Sequence, residues 1–303
     1  MSSRLLGFTA ATHTPFDASG QLRLEIVAKQ AEHLQKQQIP RVFIGGTTGE
    51  SHSLTADERK QLAAEWMKVT RGTPLEVVVH VGANSLEDCR ALAAHAESVG
   101  ARAIAALAPS YFRPRSVDLL VDSMQQIAAA APATPFYYYD IPSMTGVNFP
   151  VAEFLQAARD KIPTLTGVKY TNSDLAGLQR CLKLDDGRFD VLFGCDEYYL
   201  AAATLGVQGG VGSTYNFAAP VYHRMLAHYA AGDLPAAREE QHRSVLLVEL
   251  LVRYGFMAAA KTVMGFLGVE VGPARLPHAN LTSEQKTTLR RELETLGFFS
   301  WIQ

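Results

Sequence analysis

The chain of 303 residues is short of cysteine. Cys89, Cys181 and Cys195 are odd in number and form no C-x-x-C pair. That excludes a disulfide scaffold and points to a protein of the cytoplasm with reduced thiols. Long apolar runs are also missing. The most apolar helical stretch, 245–252, contains Glu249 and is too short to span a bilayer. The opening MSSRLLGFTAATHTPFD has no apolar core followed by a small-residue cleavage site, so no secretory leader is expected. Charge of one sign is absent as well. With 28 Lys+Arg against 30 Asp+Glu the formal net charge is −2, which gives neither a basic footprint for nucleic acid nor an acidic tail. No Ser/Pro-rich linker or low-complexity tract divides the chain. There is no G-x-G-x-x-G, no G-x-x-x-x-G-K-S/T and no H-E-x-x-H. The nine histidines are scattered, and His223 and His228 are five apart, the wrong spacing for joint ligation on a helix, so no metal is expected. A chain of this length buries roughly three quarters of its unfolded surface and needs no such staples.

What is present is a recurring unit, a short apolar run followed by a longer amphipathic one. Eight short runs occur, at 5–11, 41–45, 75–81, 101–108, 136–141, 165–169, 189–194 and 208–212. Several are β-branched or aromatic and nearly continuously apolar, such as EVVVHV and PFYYYDIP, which is how strands buried on both faces read. Thr55-x-x-Glu58 predicts a capping box before a helix reaching about residue 69. Ser85 with Asp88 opens a helix at 86–98 that stops at Gly100. Further helices fit 22–37, 116–130, 150–160 and 174–184. Pro220 is expected to open one at 220–231, and more follow near 234–254, 256–266 and 282–296. Eight strands alternating with helices predict an α/β fold, a (β/α)8 barrel (TIM barrel) over 1–231, with an additional C-terminal helical extension at 232–303 packed on it. A doubly wound sheet usually has fewer strands and a Gly-rich first turn.

In a barrel the chemistry gathers where strands end and βα loops begin. The second run ends Gly45-Gly46-Thr47-Thr48-Gly49-Glu50. Glycines let backbone approach a ligand, and successive N–H groups with two hydroxyls suit a small carboxylate or phosphate; the same turn also suits plain capping of the next helix. In Tyr137-Tyr138-Tyr139-Asp140-Ile141-Pro142, alternation sends Tyr137 and Tyr139 to one face. A phenol at the mouth can shuttle protons, while one deeper inside is a core aromatic with a polar partner. The sixth run ends Gly167-Val168-Lys169-Tyr170-Thr171. A lysine here either snorkels to the rim or, partly desolvated, serves as an amine nucleophile that forms a Schiff base with a carbonyl substrate. The last two runs end Phe193-Gly194-Cys195-Asp196-Glu197 and Gly209-Gly210-Val211-Gly212-Ser213-Thr214-Tyr215-Asn216. Their carboxylates suit the hydroxyls of a polyol or a helix N-terminus. No triad partners can be assigned to Cys195.

The motifs G-T-T-G-E, Y-Y-Y-D-I-P, G-V-K-Y-T, F-G-C-D-E and G-G-V-G-S-T-Y-N, in this order and at barrel spacing, resemble those of the dihydrodipicolinate synthase / N-acetylneuraminate lyase family. The likeness covers the chain from about Leu6 to the tail. It implies class I, Schiff-base aldolases on a (β/α)8 barrel, with no cofactor and a homotetrameric assembly. By position, Lys169 looks like the Schiff-base lysine that captures pyruvate, and Tyr139 like the proton-relaying phenol. Thr47 and Thr48 match the pair that holds the pyruvate carboxylate. Tyr111, in A-P-S-Y-F beside Phe112, falls where family members offer a tyrosine across a subunit contact. Synthase members place an arginine shortly after the catalytic tyrosine, and Met144 occupies that region here. The lyase branch is more similar, and its sugar-tail contacts map onto Thr171, Gly194, Asp196, Glu197 and Ser213. Asp140 departs from it, because lyases more often carry Asn or His there; a carboxylate could shift a neighbour's pKa or favour another substrate.

The activity this resemblance implies is reversible cleavage of N-acetylneuraminate to N-acetylmannosamine and pyruvate, in carbohydrate metabolism. The alternative is a related aldolase, dehydratase or hydratase for another 2-keto-3-deoxy sugar acid, which keeps Lys169 and Tyr139 and changes the tail contacts. A non-catalytic sugar-acid sensor would not need a complete catalytic set. A phosphate-binding barrel enzyme is disfavoured by the acidic residues after strands seven and eight. The expected partner is a small molecule, with neither nucleic acid nor membrane.

Overall fold

The computed structural model describes residues 4–303, so the first three residues of the N-terminal reading and of the 1–231 unit lie outside it. Eight parallel strands close into a barrel in chain order: β1 (Gly7–Ala11), β2 (Arg41–Ile44), β3 (Glu76–His80), β4 (Ala103–Leu107), β5 (Phe136–Asp140), β6 (Leu165–Tyr170), β7 (Asp190–Phe193) and β8 (Gly209–Gly212). Between and after them run α1 (Val27–Lys36), α2 (Ala56–Thr70), α3 (Leu86–Ser98), α4 (Val117–Ala129), α5 (Pro142–Thr145), α6 (Val151–Ala158), α7 (Leu175–Lys183), α8 (Tyr199–Thr204) and α9 (Tyr215–Ala230). They are followed by α10 (Leu234–Arg253), α11 (Phe256–Phe266), α12 (Ser283–Leu296) and α13 (Phe298–Trp301). The fold is the (β/α)8 barrel with C-terminal helices that the alternating runs predict. Among the described residues no helix is long and apolar enough to cross a membrane.

Strand alternation builds two cores. Phe43, Val78, Ala105, Tyr137, Tyr139, Ile141, Leu192 and Val211 fill the barrel interior. Val42, Ile44, Val79, Tyr138 and Val168 face outward under the helices, Tyr138 against Phe154 of α6 with ring centroids 4.3 Å apart. The register couples Tyr139 to Lys169 and Lys169 to Leu192, which puts all three on the inner face. At Gly167 a Cβ would lie 1.8 Å from the carbonyl oxygen of Asp190, so only glycine lets β6 and β7 meet there.

The capping box is present. Thr55 Oγ1 accepts from Glu58 N–H at 3.1 Å, and Glu58 Oε2 accepts from Thr55 N–H at 2.9 Å. Ser85 caps α3 by accepting from Asp88 N–H at 3.2 Å. One helix start differs from expectation. α9 begins at Tyr215, not at Pro220, which lies inside it. The helix tolerates the proline because Ala218 departs from helical geometry, and because the Asn216 carbonyl, which has no N–H partner at Pro220, lies 2.8 Å from His33 Nε2. The short helices α5, α8 and α13 are not apparent in the periodicity.

The C-terminal segment is tied to the loop after β2 by charge. Lys261 of α11 and Glu50, both essentially excluded from solvent, pair at 2.6 Å. Glu50 also accepts from the Arg275 backbone N–H at 2.8 Å, while Arg275 pairs with Glu58 at the start of α2. Burial pulls the Lys261 ammonium below its usual range, and the Glu50 carboxylate opposes that. Removing one member leaves the other charged and buried. Lys261→Met is expected to cost about 3–5 kcal/mol in urea unfolding, with part of the loss recovered in the Glu50→Gln/Lys261→Met double variant. A loss below about 1 kcal/mol would contradict a buried, mutually dependent pair.

Candidate active site

Lys169, 4% exposed, extends from the end of β6 into the barrel. Its Nζ lies 4.1 Å from the centroid of the Tyr139 ring and 4.3 Å from that of Phe43. Among the described residues no carboxylate pairs with it. The amine therefore rests on two aromatic faces, which supply electrostatic attraction without a hydrogen-bond acceptor. Tyr139, from β5, stands edge-on to Phe43 and to His80. Its hydroxyl meets Thr47 Oγ1 at 3.1 Å. Tyr137, two residues earlier on the same face, sends its hydroxyl to the other end of the barrel, where it donates to Asp190 Oδ2 at 2.8 Å. Each inward phenol thus has a polar partner, but only Tyr139 shares the neighbourhood of the lysine.

The loop after β2 turns sharply. Gly45 has φ +62°, a region costly for side chains other than glycine. Glu50 N–H donates to Thr47 O at 3.0 Å and Ser51 N–H to Gly46 O at 3.1 Å. The turn directs both threonines to neighbours across the mouth, Thr47 to Tyr139 and Thr48 Oγ1 to Ser213 Oγ at 2.6 Å. Loops after β2 and β8 are thereby joined to the end of β5. A cavity of about 360 Å³ reaches Thr47 and is walled by Glu50, His52, Asn84, Ser110 and Met144 among others. A larger one, about 620 Å³, lies beside Phe16, Arg23, Phe266 and Lys286 and touches none of these groups.

On the far side stand the acidic residues. Asp196 is buried, and its Oδ2 accepts from Thr214 N–H at 2.9 Å and Thr214 Oγ1–H at 2.6 Å. Burial pushes its carboxyl up to about 6 against the pull of those two donors. Its other oxygen, Oδ1, has no partner among the described residues and lies beside Gly212, where a Cβ would come within 1.7 Å of it. Gly194 makes room in the same way for Thr171, whose buried hydroxyl is also unpartnered among the described residues. Glu197 is half-buried next to them. Cys195 is held as the thiol, pushed up to about 12 chiefly by burial. Tyr111 is not brought to this group within one chain. It is 78% exposed, edge-on to Phe112, with its backbone N–H donating to Asn84 Oδ1 at 3.1 Å.

Three residues of the site escape the sequence reading. Phe43 supplies the second ring under Lys169. His80 ends β3 and packs its ring on Tyr139. Burial and the Arg59 charge hold its imidazole neutral, well below the usual range, and its Nδ1 meets Gly45 O at 2.8 Å. Arg59 donates to the carbonyls of His80 at 2.7 Å and Gly82 at 2.9 Å, bracing the end of β3 from α2. A usable signal existed: His80 stands two residues after the inward Val78 and so points the same way.

Comparison with known proteins gives a consistent result. The family model described as the dihydrodipicolinate synthetase family matches residues 4–296. The N-acetylneuraminate lyase of Gallus gallus is 40% identical over 297 residues, which cover 97% of this chain and 96% of that one. Among solved structures, the N-acetylneuraminate lyase of Proteus mirabilis superimposes with a TM-score of 0.95 at 36% identity, over 97% of this chain and 99% of that chain. That of Aliivibrio salmonicida, a sialic acid aldolase, does so with 0.95 at 38% identity, over 98% of each.

Asp140 follows Tyr139 and, by alternation, faces away from the barrel interior. It is 2% exposed, and the hydrogen-bond donor to its carboxylate is Asn172 Nδ2, at 3.3 Å. Burial pushes its carboxyl up to about 7, opposed by that hydrogen bond. The folded chain therefore keeps a proton that the unfolded chain releases near pH 4, so stability falls as pH rises from about 4 to about 7. Asp140→Asn keeps an acceptor for Asn172 and does not titrate. Its stability relative to wild type is expected to increase from pH 5 to pH 8 by up to a few kcal/mol, at about 1.4 kcal/mol per unit. An equal difference at both pH values in urea unfolding would contradict this.

Proposed function

This chain belongs to the dihydrodipicolinate synthetase family, and on that premise we propose that it catalyses the reversible aldol cleavage of N-acetylneuraminate to N-acetylmannosamine and pyruvate. It is a carbon–carbon lyase. The relatives of that activity match it over nearly its whole length. The observation that carries the mechanism is the placement of the Lys169 amine, inside the barrel and without a counterion among the described residues, against the ring of a tyrosine whose hydroxyl touches Thr47.

In this reading the amine of Lys169 adds to the C2 ketone of the open-chain sugar acid, and loss of water gives an iminium. Thr47 and Thr48 hold the adjacent carboxylate. Tyr139 takes the proton of the C4 hydroxyl while passing its own toward that carboxylate. The C3–C4 electron pair moves into the iminium, which releases the aldehyde and leaves an enamine on Lys169. The relayed proton returns to C3, and water hydrolyses the iminium to pyruvate and free lysine. The lysine is the electron sink. Thr171, Gly194, Asp196, Glu197 and Ser213 line the side that takes the polyol tail and aim the C4 hydroxyl, and such positioning supplies several kcal/mol of the ~7–11 available to well-oriented reactants.

We extend the reading to assembly and compartment. Tyr111 and Phe112, with 78% and 84% of their surface exposed, form an apolar projection suited to contact with another copy, which in a homotetramer brings Tyr111 to a neighbouring site. The three free cysteines suit the cytoplasm.

Two measurements test the proposal. Pyruvate release from N-acetylneuraminate is expected to exceed that from a panel of other 2-keto-3-deoxy sugar acids by at least about tenfold in kcat/KM, a gap of about 1.4 kcal/mol in transition-state binding. Preference for a panel member would replace the substrate. Tyr139→Phe is expected to lower kcat about 10²-fold or more. Wild-type turnover by that variant would remove the relay.

A further inference from the structure

Asp196 is the first link of a buried chain of hydroxyls that ends outside the barrel. Thr214 Oγ1 lies 2.6 Å from Asp196 Oδ2, Tyr222 OH lies 2.5 Å from Thr214 Oγ1, and Ser244 Oγ lies 2.6 Å from Tyr222 OH. Thr214, Tyr222 and Ser244 are all within 1% of full burial. They come from the start of the β8 loop, from α9 and from α10. Each hydroxyl carries one proton, and an ionised carboxylate only accepts. Thr214 must therefore donate to Asp196, so Tyr222 must donate to Thr214, and Ser244 must donate to Tyr222. The ionised carboxylate aligns all three protons toward itself, and each bond polarises the next. α10 holds the same residue a second time. Gln241, one turn before Ser244, donates from Nε2 to Asp196 O at 3.2 Å and accepts the Leu200 N–H at 2.7 Å.

With Oδ2 saturated by Thr214, the carboxylate cannot rotate without breaking two hydrogen bonds. Oδ1 remains buried and, among the described residues, without a partner, filling the position that a side chain on Gly212 would take. Such an orphan is costly unless a ligand satisfies it. We propose that Tyr222, acting through Thr214 and anchored by Ser244, is a positioning residue that presents Asp196 Oδ1 as a hydrogen-bond acceptor to a hydroxyl of the aldehyde half of the substrate. Recognition of that half then depends on α10, a helix outside the barrel, while capture of pyruvate does not. This inference rests on the activity proposed above.

The condensation direction separates the two halves, because pyruvate and N-acetylmannosamine then have their own KM values. Tyr222→Phe is expected to raise KM for N-acetylmannosamine at least fivefold and leave KM for pyruvate within twofold. Ser244→Ala is expected to move the same constant in the same direction by less. Thr214→Ser, which keeps the hydroxyl, is expected to stay near wild type, whereas Thr214→Val behaves as Tyr222→Phe does. Should Tyr222→Phe fail to fold, Ser244→Ala and the Thr214 pair carry the test. Unchanged KM values for both substrates, or an equal rise in both, would overturn the positioning role. Failure of the wild-type protein itself to condense these two compounds would instead overturn the proposed activity, and this inference with it.

Discussion

The site depends on one arrangement, an amine lodged between two aromatic faces inside a closed parallel barrel. Closure in chain order aims all eight strand ends at a single mouth, and the pleat decides which side chains enter it. Tyr139, Lys169 and Leu192 stand in register across β5, β6 and β7. Phe43 comes from β2, and its ring, edge-on to that of Tyr139, forms the second wall of the corner that holds Nζ. A carboxylate in Phe43's place would pair with the lysine and hold it as a spectator ammonium. Aromatic faces attract the ammonium without supplying a counterion, and the nitrogen can add to a carbonyl carbon once it has given up a proton.

Around that amine the groups divide into two arcs. Thr47, Thr48 and Tyr139 form a hydroxyl arc near Lys169, suited to a keto acid. Thr171, Asp196 and Glu197, after β6 and β7, form an arc of acceptors and unsatisfied hydroxyls suited to a polyol. Ser213, after β8, touches the first through Thr48. Each arc is braced from behind by elements remote in sequence. The β2 loop is held by the buried Glu50–Lys261 pair and by Arg275. Asp196 is held by α10 through Gln241 and the Thr214–Tyr222–Ser244 chain. The C-terminal helices therefore serve the mouth as well as cover the barrel.

Much of this is legible in the sequence, for local reasons. The near-continuous apolar runs of β3 and β5, the Thr55 box and the Ser85 cap are consequences of nearest neighbours, and strand periodicity alone puts Tyr139 inside and Tyr138 outside. Lys169 stands out because a lysine ending an apolar strand is costly to bury. What periodicity does not carry is contact between distant segments. Glu50 and Lys261 are ordinary charges until the fold joins them, and Tyr222 reads as one aromatic on an amphipathic helix. The start of α9 is hidden for the same reason. Pro220 marks a boundary locally, and the departure of Ala218 from helical geometry together with the meeting of Asn216 and His33 lets the helix run through it. α8 is short and opens on Asp196-Glu197-Tyr198, a polar turn without periodicity.

The most direct test of the central claim is chemical. Treating the protein with pyruvate and borohydride reduces any iminium formed and fixes the three carbons to the nitrogen that formed it. Peptide mass spectrometry is predicted to find the reduced adduct on Lys169, and on no other lysine in proportion to it. An unmodified Lys169, under conditions that label a control aldolase of the Schiff-base type, would contradict the account.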